Sequence, residues 1–173
     1  MAEERIAERI DANLLDVTME DLHDMPKQLY EGKITKLREK TQGQLVIKEY
    51  PTASAHSGHF KSLMNELALK KSFRPDVIFI DYLNICASSR FKGGNISSYF
   101  YVKAIAEELR GLAVEFNVPI FSATQTTRTG FVSTDIGLED TSESFGLPAT
   151  ADFMFALISN EELEALGPVS YTH

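Results

Sequence analysis

The sequence predicts an α/β fold in which a doubly wound, mostly parallel sheet is flanked by helices. Two short apolar runs, DVIFIDYL at 76–83 and VPIFSA at 118–123, have the composition of strands buried on both faces. Between them, apolar side chains recur every three or four positions over residues 99–116, which is typical of an amphipathic helix. Because strands that alternate with helices form parallel sheets with right-handed crossovers, these segments together indicate this architecture.

The first forty residues are predicted to be helical. Apolar residues recur every four positions on one face of residues 2–15, with Glu and Arg on the other face. Thr18, followed three residues later by Asp21, resembles a capping box and predicts that a second short helix begins there. Residues 26–40 are rich in charged side chains and predict a helix exposed to solvent.

The remaining elements continue the alternation of strands and helices. Residues 44–50 (QLVIKEY) predict a strand, and residues 60–71 predict an amphipathic helix that Pro75 separates from the strand at 76–83. Residues 153–158 (FMFALI) predict a last strand, and residues 160–166 a short helix. We therefore expect residues 1–173 to form a single domain.

The composition is that of a globular protein without a membrane span. Hydrophobic residues make up 43% of the chain and charged residues 24%, and no apolar run approaches the length that crosses a bilayer. The single cysteine, Cys86, excludes an intrachain disulfide, fits a reducing cytoplasm and is predicted to be a packed thiol. A net charge of −8 argues against an extensive DNA-binding surface but is compatible with local basic loops.

Polar residues follow the two central strands. Asp81 lies near the end of the first strand, and Thr124, Gln125 and Arg128 follow the second. Ligands of open α/β sheets bind outside the carboxyl ends of the strands. A carboxylate there can hold Mg²⁺ through water, and a neutral amide can contact a γ-phosphate or orient an attacking water. An acid at the end of a strand and a polar loop after the next one are each common in α/β proteins. The two together point to a nucleotide site with Asp81 and Gln125 in one cleft.

Four stretches in order along the chain resemble the RecA-like motor domain of DnaB-family replicative helicases, with a closer similarity to the phage T4 type. They are MAEERIAERIDANLLDV, DVIFIDYLNICASSR, YVKAIAEELRGLAVEFNVPIFSATQ and ESFGLPATADFMFALI. The last is the most specific, since few families place an acidic-Ser segment, a small-residue turn and Ala-Asp before an apolar strand. The resemblance implies a RecA-like fold, ATP and Mg²⁺ as ligands, and ATP-driven 5′–3′ unwinding of duplex DNA by the parent protein.

The resemblance also assigns roles to single residues. Asp81 matches the Mg²⁺-associated acid, Gln125 the glutamine that couples the γ-phosphate to DNA-binding loops, and Arg128 a basic residue of the same motif. Ser142, Glu143 and the backbone of Phe145 match the contacts with single-strand phosphates, although bacterial relatives often carry Arg where Ser142 stands. By analogy, Arg90 and Lys92 lie in a loop that faces the same channel.

The family implies a homo-oligomeric ring, a hexamer in its known members, with primase and other replisome proteins as partners. It also implies action in the cytoplasm of a phage-infected bacterium.

The phosphate-binding motif GxxxxGK[ST] of the family is not found in the 173 residues. Met1 matches the end of the segment that carries the family's catalytic Glu, and the chain stops before the strands that usually carry an arginine finger. We therefore expect a piece of a helicase motor domain that is inactive alone and binds no nucleotide. The alternative is a RecA-like binding or scaffold module without ATPase activity. A third reading, an unrelated α/β enzyme that uses Asp81, is disfavoured by the resemblance.

Overall fold

A computed structural model of the chain describes residues 2–91, 96–125, 146–155 and 157. It divides the chain into two compact units, residues 1–51 and residues 52–173. That the chain forms a single domain stays a prediction. In the described residues, no helix is both long enough and apolar enough to cross a membrane.

The first unit consists of three helices, as the sequence predicts: α1 (Glu3–Leu14), α2 (Met19–Asp24) and α3 (Lys27–Lys40). The predicted capping box opens α2, because the Thr18 hydroxyl accepts a hydrogen bond from the Asp21 amide at 3.0 Å and the Asp21 carboxylate accepts one from the Thr18 amide. No residue of α3 is buried, which confirms the predicted solvent-exposed helix.

The predicted strand at 44–50 is wrong, because this segment forms no strand. It is instead held to the start of α1, where the Glu3 carboxylate accepts a hydrogen bond from the Glu49 amide at 2.9 Å and pairs with Lys48. The alternation of apolar and polar residues at 44–50 suits a strand, but a strand requires a neighbour that exchanges backbone hydrogen bonds with it. The described residues of this unit offer none.

The second unit is built around a two-stranded parallel sheet. It contains α4 (Ser57–Lys71), β1 (Ile78–Ile80), a 3₁₀ turn (Leu83–Ile85), α5 (Ser98–Phe116), β2 (Ile120–Ser122) and α6 (Gly146–Thr150). In β1 and β2, Ile78 pairs with Ile120 and Ile80 with Ser122, with both strands running in the same direction. The two strands are therefore neighbours that a helical crossover joins, as the sequence predicts, although each is shorter than predicted.

The apolar runs also predict that both faces of these strands are buried. In the described part of the chain this prediction is wrong. Ile78 and Ile80 are half-buried, whereas Phe79 is 74% exposed and stacks on Phe121 with their ring centroids 5.2 Å apart. Alternate residues of a strand point to opposite faces, so the sheet has one packed and one exposed face. No described element covers the exposed one.

The core of this unit lies along α5. Val102, Ile105, Leu109 and Leu112 are buried on one stripe of the helix, and α5 contacts α4, β2, the 3₁₀ turn and α6. The helix ends at Asn117 in the left-handed conformation (φ 53°), a backbone geometry that Asn adopts more readily than most residues. The buried cluster contains Leu83, Cys86, Val102, Ile105, Ala106, Leu109 and Leu147.

The predicted strand at 153–158 is also wrong where the structure describes it. Residues 151–155 and 157 form no strand, and Phe153 and Phe155 are mostly exposed. Arg110 of α5 instead binds the end of α6, since its guanidinium donates to the Thr150 carbonyl oxygen at 2.6 Å and pairs with Asp152 at 2.9 Å. The predicted helix at 160–166 lies outside the described residues.

We predict that Ile105→Ala destabilises the second unit by about 2–5 kcal/mol, because Ile105 is 1% exposed and its loss would leave a cavity in the core. Val114→Ala is the matched control on the same helix, since Val114 is 74% exposed and truncating it should change stability by less than about 0.5 kcal/mol. Denaturant unfolding followed by circular dichroism measures both. Equal midpoints for the two variants would contradict the assignment of this core.

Candidate functional site

The carboxyl ends of β1 and β2 meet at one edge of the sheet and are tied together there. The Leu83 amide donates to the Ala123 carbonyl oxygen at 3.1 Å, so pairing between the two segments extends past the strands. The Ser122 hydroxyl also donates to the Ile80 carbonyl oxygen at 2.8 Å. These bonds fix the relative position of the two loops that carry the predicted nucleotide-binding residues.

Side chains add two contacts between the same loops. The Thr124 hydroxyl donates to the Asn84 side-chain oxygen at 2.8 Å, and the Gln125 amide nitrogen donates to the Tyr82 hydroxyl at a longer 3.4 Å. The sequence did not single out Asn84 or Tyr82. Their signal is their position, since both follow the first strand directly.

Asp81 and Gln125 follow the two neighbouring parallel strands, as the sequence predicts. Asp81 is the residue after β1, and its peptide bond to Tyr82 is cis. Both side chains are exposed. Within the described residues, no cluster of three or more His, Cys, Asp or Glu side chains could hold a metal ion. Among these residues Asp81 contributes one carboxylate, and Mg²⁺ is often bound by one or two carboxylates together with substrate phosphates.

A cavity of about 210 Å³ lies away from this edge. Its lining includes Pro75 and Val118, which precede β1 and β2, so it opens at the amino-terminal edge of the sheet. Ligands of open α/β sheets bind at the opposite edge. The cavity is therefore not the predicted nucleotide site.

Arg90 lies on the loop that follows the 3₁₀ turn, and α5 supplies its partner. Its guanidinium donates to the Glu107 carboxylate at 2.5 Å, and Lys103 approaches the same carboxylate at 4.0 Å. The Arg90 side chain is 51% exposed, so the pair lies at the surface, where such ion pairs are weak. A phosphate group can therefore compete with Glu107 for this arginine.

The backbone of the same loop is held by the neighbouring acid, Glu108. Its carboxylate accepts hydrogen bonds from the Ser88 hydroxyl at 2.6 Å and the Ser89 hydroxyl at 2.7 Å. The Ser89 amide donates to both oxygens at 3.0 Å, and the Arg90 amide to one at 3.4 Å. The Ser57 hydroxyl at the start of α4 adds a bond of 2.8 Å. Glu108 thus joins α4, α5 and the loop.

These bonds keep Glu108 ionised. Burial opposes the charged form and raises the pKa, but the hydrogen bonds from Ser88, Ser89 and Ser57 outweigh it and lower the pKa of Glu108 to about 2. The sequence pattern did not single out Glu108. Its signal was an acid beside the apolar stripe of α5, together with two consecutive serines after the first strand.

Five other residues were predicted from the sequence to belong to the site. Lys92, Arg128, Ser142, Glu143 and Phe145 lie outside the described residues. Their roles stay predictions.

Cys86 is a packed thiol, as predicted. It is 7% exposed and belongs to the core cluster, and burial raises the pKa of its thiol to about 11. A thiol that is buried and protonated at neutral pH is a poor nucleophile. Cys86 therefore takes no part in the candidate site.

Comparison with known proteins decides the family. Residues 1–164 match the family described as the DnaB-like helicase C terminal domain. The chain belongs to this family. The chain is 51% identical over 168 residues to the DnaB-like replicative helicase of Enterobacteria phage T4, a match that covers 95% of the chain and 35% of that protein. It is also 34% identical over 133 residues to a probable plasmid replicative DNA helicase of Chlamydia trachomatis serovar L2, covering 74% of the chain and 27% of that protein.

Solved structures agree on the fold. One solved ATPase domain superimposes with a TM-score of 0.68 at 18% identity, over 88% of the chain and 54% of that structure. A DnaB-like replicative helicase, solved in a study of its interactions with primase, gives a TM-score of 0.66 at 18% identity, over 88% of the chain and 37% of that structure. The DnaB-like domain therefore has the predicted RecA-like α/β fold, of which the described residues contain a small parallel sheet and its flanking helices.

Proposed function

We propose that this DnaB-like domain is part of an ATP-driven motor that unwinds duplex DNA in the 5′–3′ direction. The observation that carries the proposal is the identity of 51% with the T4 replicative helicase along almost the whole chain. The chain spans about 35% of that protein's length, so the proposed activity is that of a complete motor to which this domain would contribute. In that assembly the chain would act as one subunit of a homo-oligomeric, hexameric ring in the cytoplasm of a phage-infected bacterium.

Asp81 and Gln125 would provide the nucleotide contacts that this chain contributes. ATP with Mg²⁺ would supply the phosphoryl transfer that powers the motor. Asp81 is exposed at the carboxyl edge and would hold Mg²⁺ through water. Gln125 donates to Tyr82 only weakly, so its amide is free to turn toward a γ-phosphate. Arg128 would contact the same nucleotide.

The loop residues would hold single-stranded DNA in the channel of the ring. Arg90 and Lys92 would supply positive charge, while the Ser142 hydroxyl and the backbone amides of Glu143 and Phe145 would donate to the phosphates. The ion pair of Arg90 with Glu107 supports this role, because a surface ion pair is weak and replacing Glu107 by a phosphate would cost little free energy. A primase would be a partner of the assembly, as the study of the structural neighbour's interactions with primase suggests.

A polypeptide of these 173 residues should not hydrolyse ATP at a useful rate. Its sequence has no GxxxxGK[ST] motif, and so no lysine and amide cradle for the β- and γ-phosphates. Removing one preorganised group of this kind slows catalysis by about 10²–10³. We expect no heat of ATP–Mg²⁺ binding by calorimetry at millimolar nucleotide and no phosphate release above background.

Asp81→Ala is the control for this assay and should leave both signals unchanged. Phosphate release that disappears in Asp81→Ala would contradict the proposal that the chain is inactive alone. It would also reveal a phosphate-binding element that the sequence does not show. A chain that neither hydrolyses ATP nor binds DNA would favour the alternative function as a binding or scaffold module.

DNA binding by the isolated chain should be weak and steeply dependent on salt. With a fluorescently labelled oligo(dT) at low ionic strength, Arg90→Ala should weaken binding and flatten the log–log salt dependence by about 0.7, the value for one phosphate contact with a single strand. Arg74→Ala removes the same charge at the amino-terminal edge of the sheet and should leave the slope unchanged. Tight binding that resists salt, or equal effects of the two substitutions, would contradict the DNA-binding role of this loop.

A further inference from the structure

Three consecutive loop residues, Ser88 to Arg90, are hydrogen-bonded to side chains of α5. Ser88 is 5% exposed, and its amide donates to the Tyr101 hydroxyl at 3.1 Å. Tyr101 and Glu108 are seven residues apart on α5, so they lie two turns apart on the same face of the helix. One face of α5 therefore supplies acceptors to three consecutive residues of the loop.

The Glu108 carboxylate uses its acceptor capacity almost entirely on this loop. Among the described residues, every donor to this carboxylate other than the Ser57 hydroxyl belongs to Ser88, Ser89 or Arg90, and two of these donors are backbone amides. An ionised carboxylate accepts at both oxygens and donates nothing. A glutamine of the same shape keeps one accepting oxygen and turns an NH₂ group toward donors, so it cannot replace this arrangement.

The two neighbouring acids of α5 bind different parts of the loop. Glu108 binds its backbone, whereas Glu107 binds the guanidinium of Arg90, the group that would meet DNA. Loss of Glu107 would free the arginine without loosening the backbone. Loss of Glu108 would loosen the backbone without removing the partner of the arginine.

We propose that Glu108 is a positioning residue for Arg90, which holds the Ser88–Arg90 backbone on α5 so that the guanidinium is presented to a single-strand phosphate. This inference rests on the proposed DNA-binding role of the loop. The low pKa of Glu108 agrees with this role, because it reflects hydrogen bonds from the loop that favour the charged carboxylate.

The test compares Glu108→Gln with Glu107→Gln in oligo(dT) binding at low salt. Both substitutions remove one negative charge, so electrostatics alone would strengthen binding in both. We expect Glu107→Gln to bind as tightly as wild type or more tightly. We expect Glu108→Gln to bind at least about fivefold more weakly than wild type, because its loop would have to become ordered when DNA binds. Tighter binding by Glu108→Gln would overturn the proposal. Ser89→Ala, which leaves α5 unchanged, should weaken binding in the same direction but less.

A second readout measures the loop without DNA. Proteases cleave segments that open locally, so release of the Ser88–Arg90 backbone from α5 should speed tryptic cleavage after Arg90, which mass spectrometry of a limited digest measures. Cleavage there should be faster in Glu108→Gln than in wild type, with cleavage at Lys70, at the far end of α4 from Ser57, unchanged as the check that the fold is intact. Unchanged cleavage after Arg90 would overturn the positioning role whatever the DNA result.

The two readouts separate this proposal from the proposed function. If Arg90→Ala binds oligo(dT) as wild type does, then Arg90 is no DNA contact, and both the DNA-binding role and the presentation of Arg90 to a phosphate fail. If Arg90→Ala weakens binding while Glu108→Gln does not, then the DNA-binding role stands and Glu108 is not its positioning residue.

Discussion

The packing of α5 onto the rest of the second unit is the contact on which the described site depends. Its apolar stripe covers the packed face of the sheet, the 3₁₀ turn and α6, and Ile105 at the centre of that stripe is almost fully buried. The polar residues beside the stripe then reach outward to hold Arg90 and its loop. One helix therefore contacts both the second strand of the sheet and the Ser88–Arg90 loop, and so lies beside the two places at which we propose nucleotide and DNA contacts.

The sequence was sufficient where local chemistry decides the structure. The spacing of apolar residues predicted α1 and α5 to within a few residues, and Thr18 with Asp21 predicted the start of α2. The two apolar runs predicted neighbouring parallel strands with Asp81 and Gln125 after their ends. These features depend on periodicity, capping and strand order, all of which can be read from a single chain.

The sequence was insufficient where the structure of a segment depends on residues distant in sequence. Residues 44–50 have the pattern of a strand but are held by Glu3, and Phe153 and Phe155 lie mostly exposed instead of forming a strand. The pattern of a strand does not reveal whether another strand pairs with it. Glu108 was missed for the same reason, because its donors lie about 20 and 50 residues before it and only the folded chain brings them together. The predicted roles of Arg128 and Ser142 stay predictions.

The attachment of the Ser88–Arg90 loop to α5 can be measured directly on the unaltered chain. Amide hydrogen exchange at neutral pH, resolved by residue with NMR, reports which backbone donors stay bonded. Our account predicts that the Ser89 amide, which donates to both oxygens of Glu108, exchanges as slowly as the amides in the middle of α5. Exchange of Ser89 at the rate of an unprotected peptide, with α5 still protected, would contradict it.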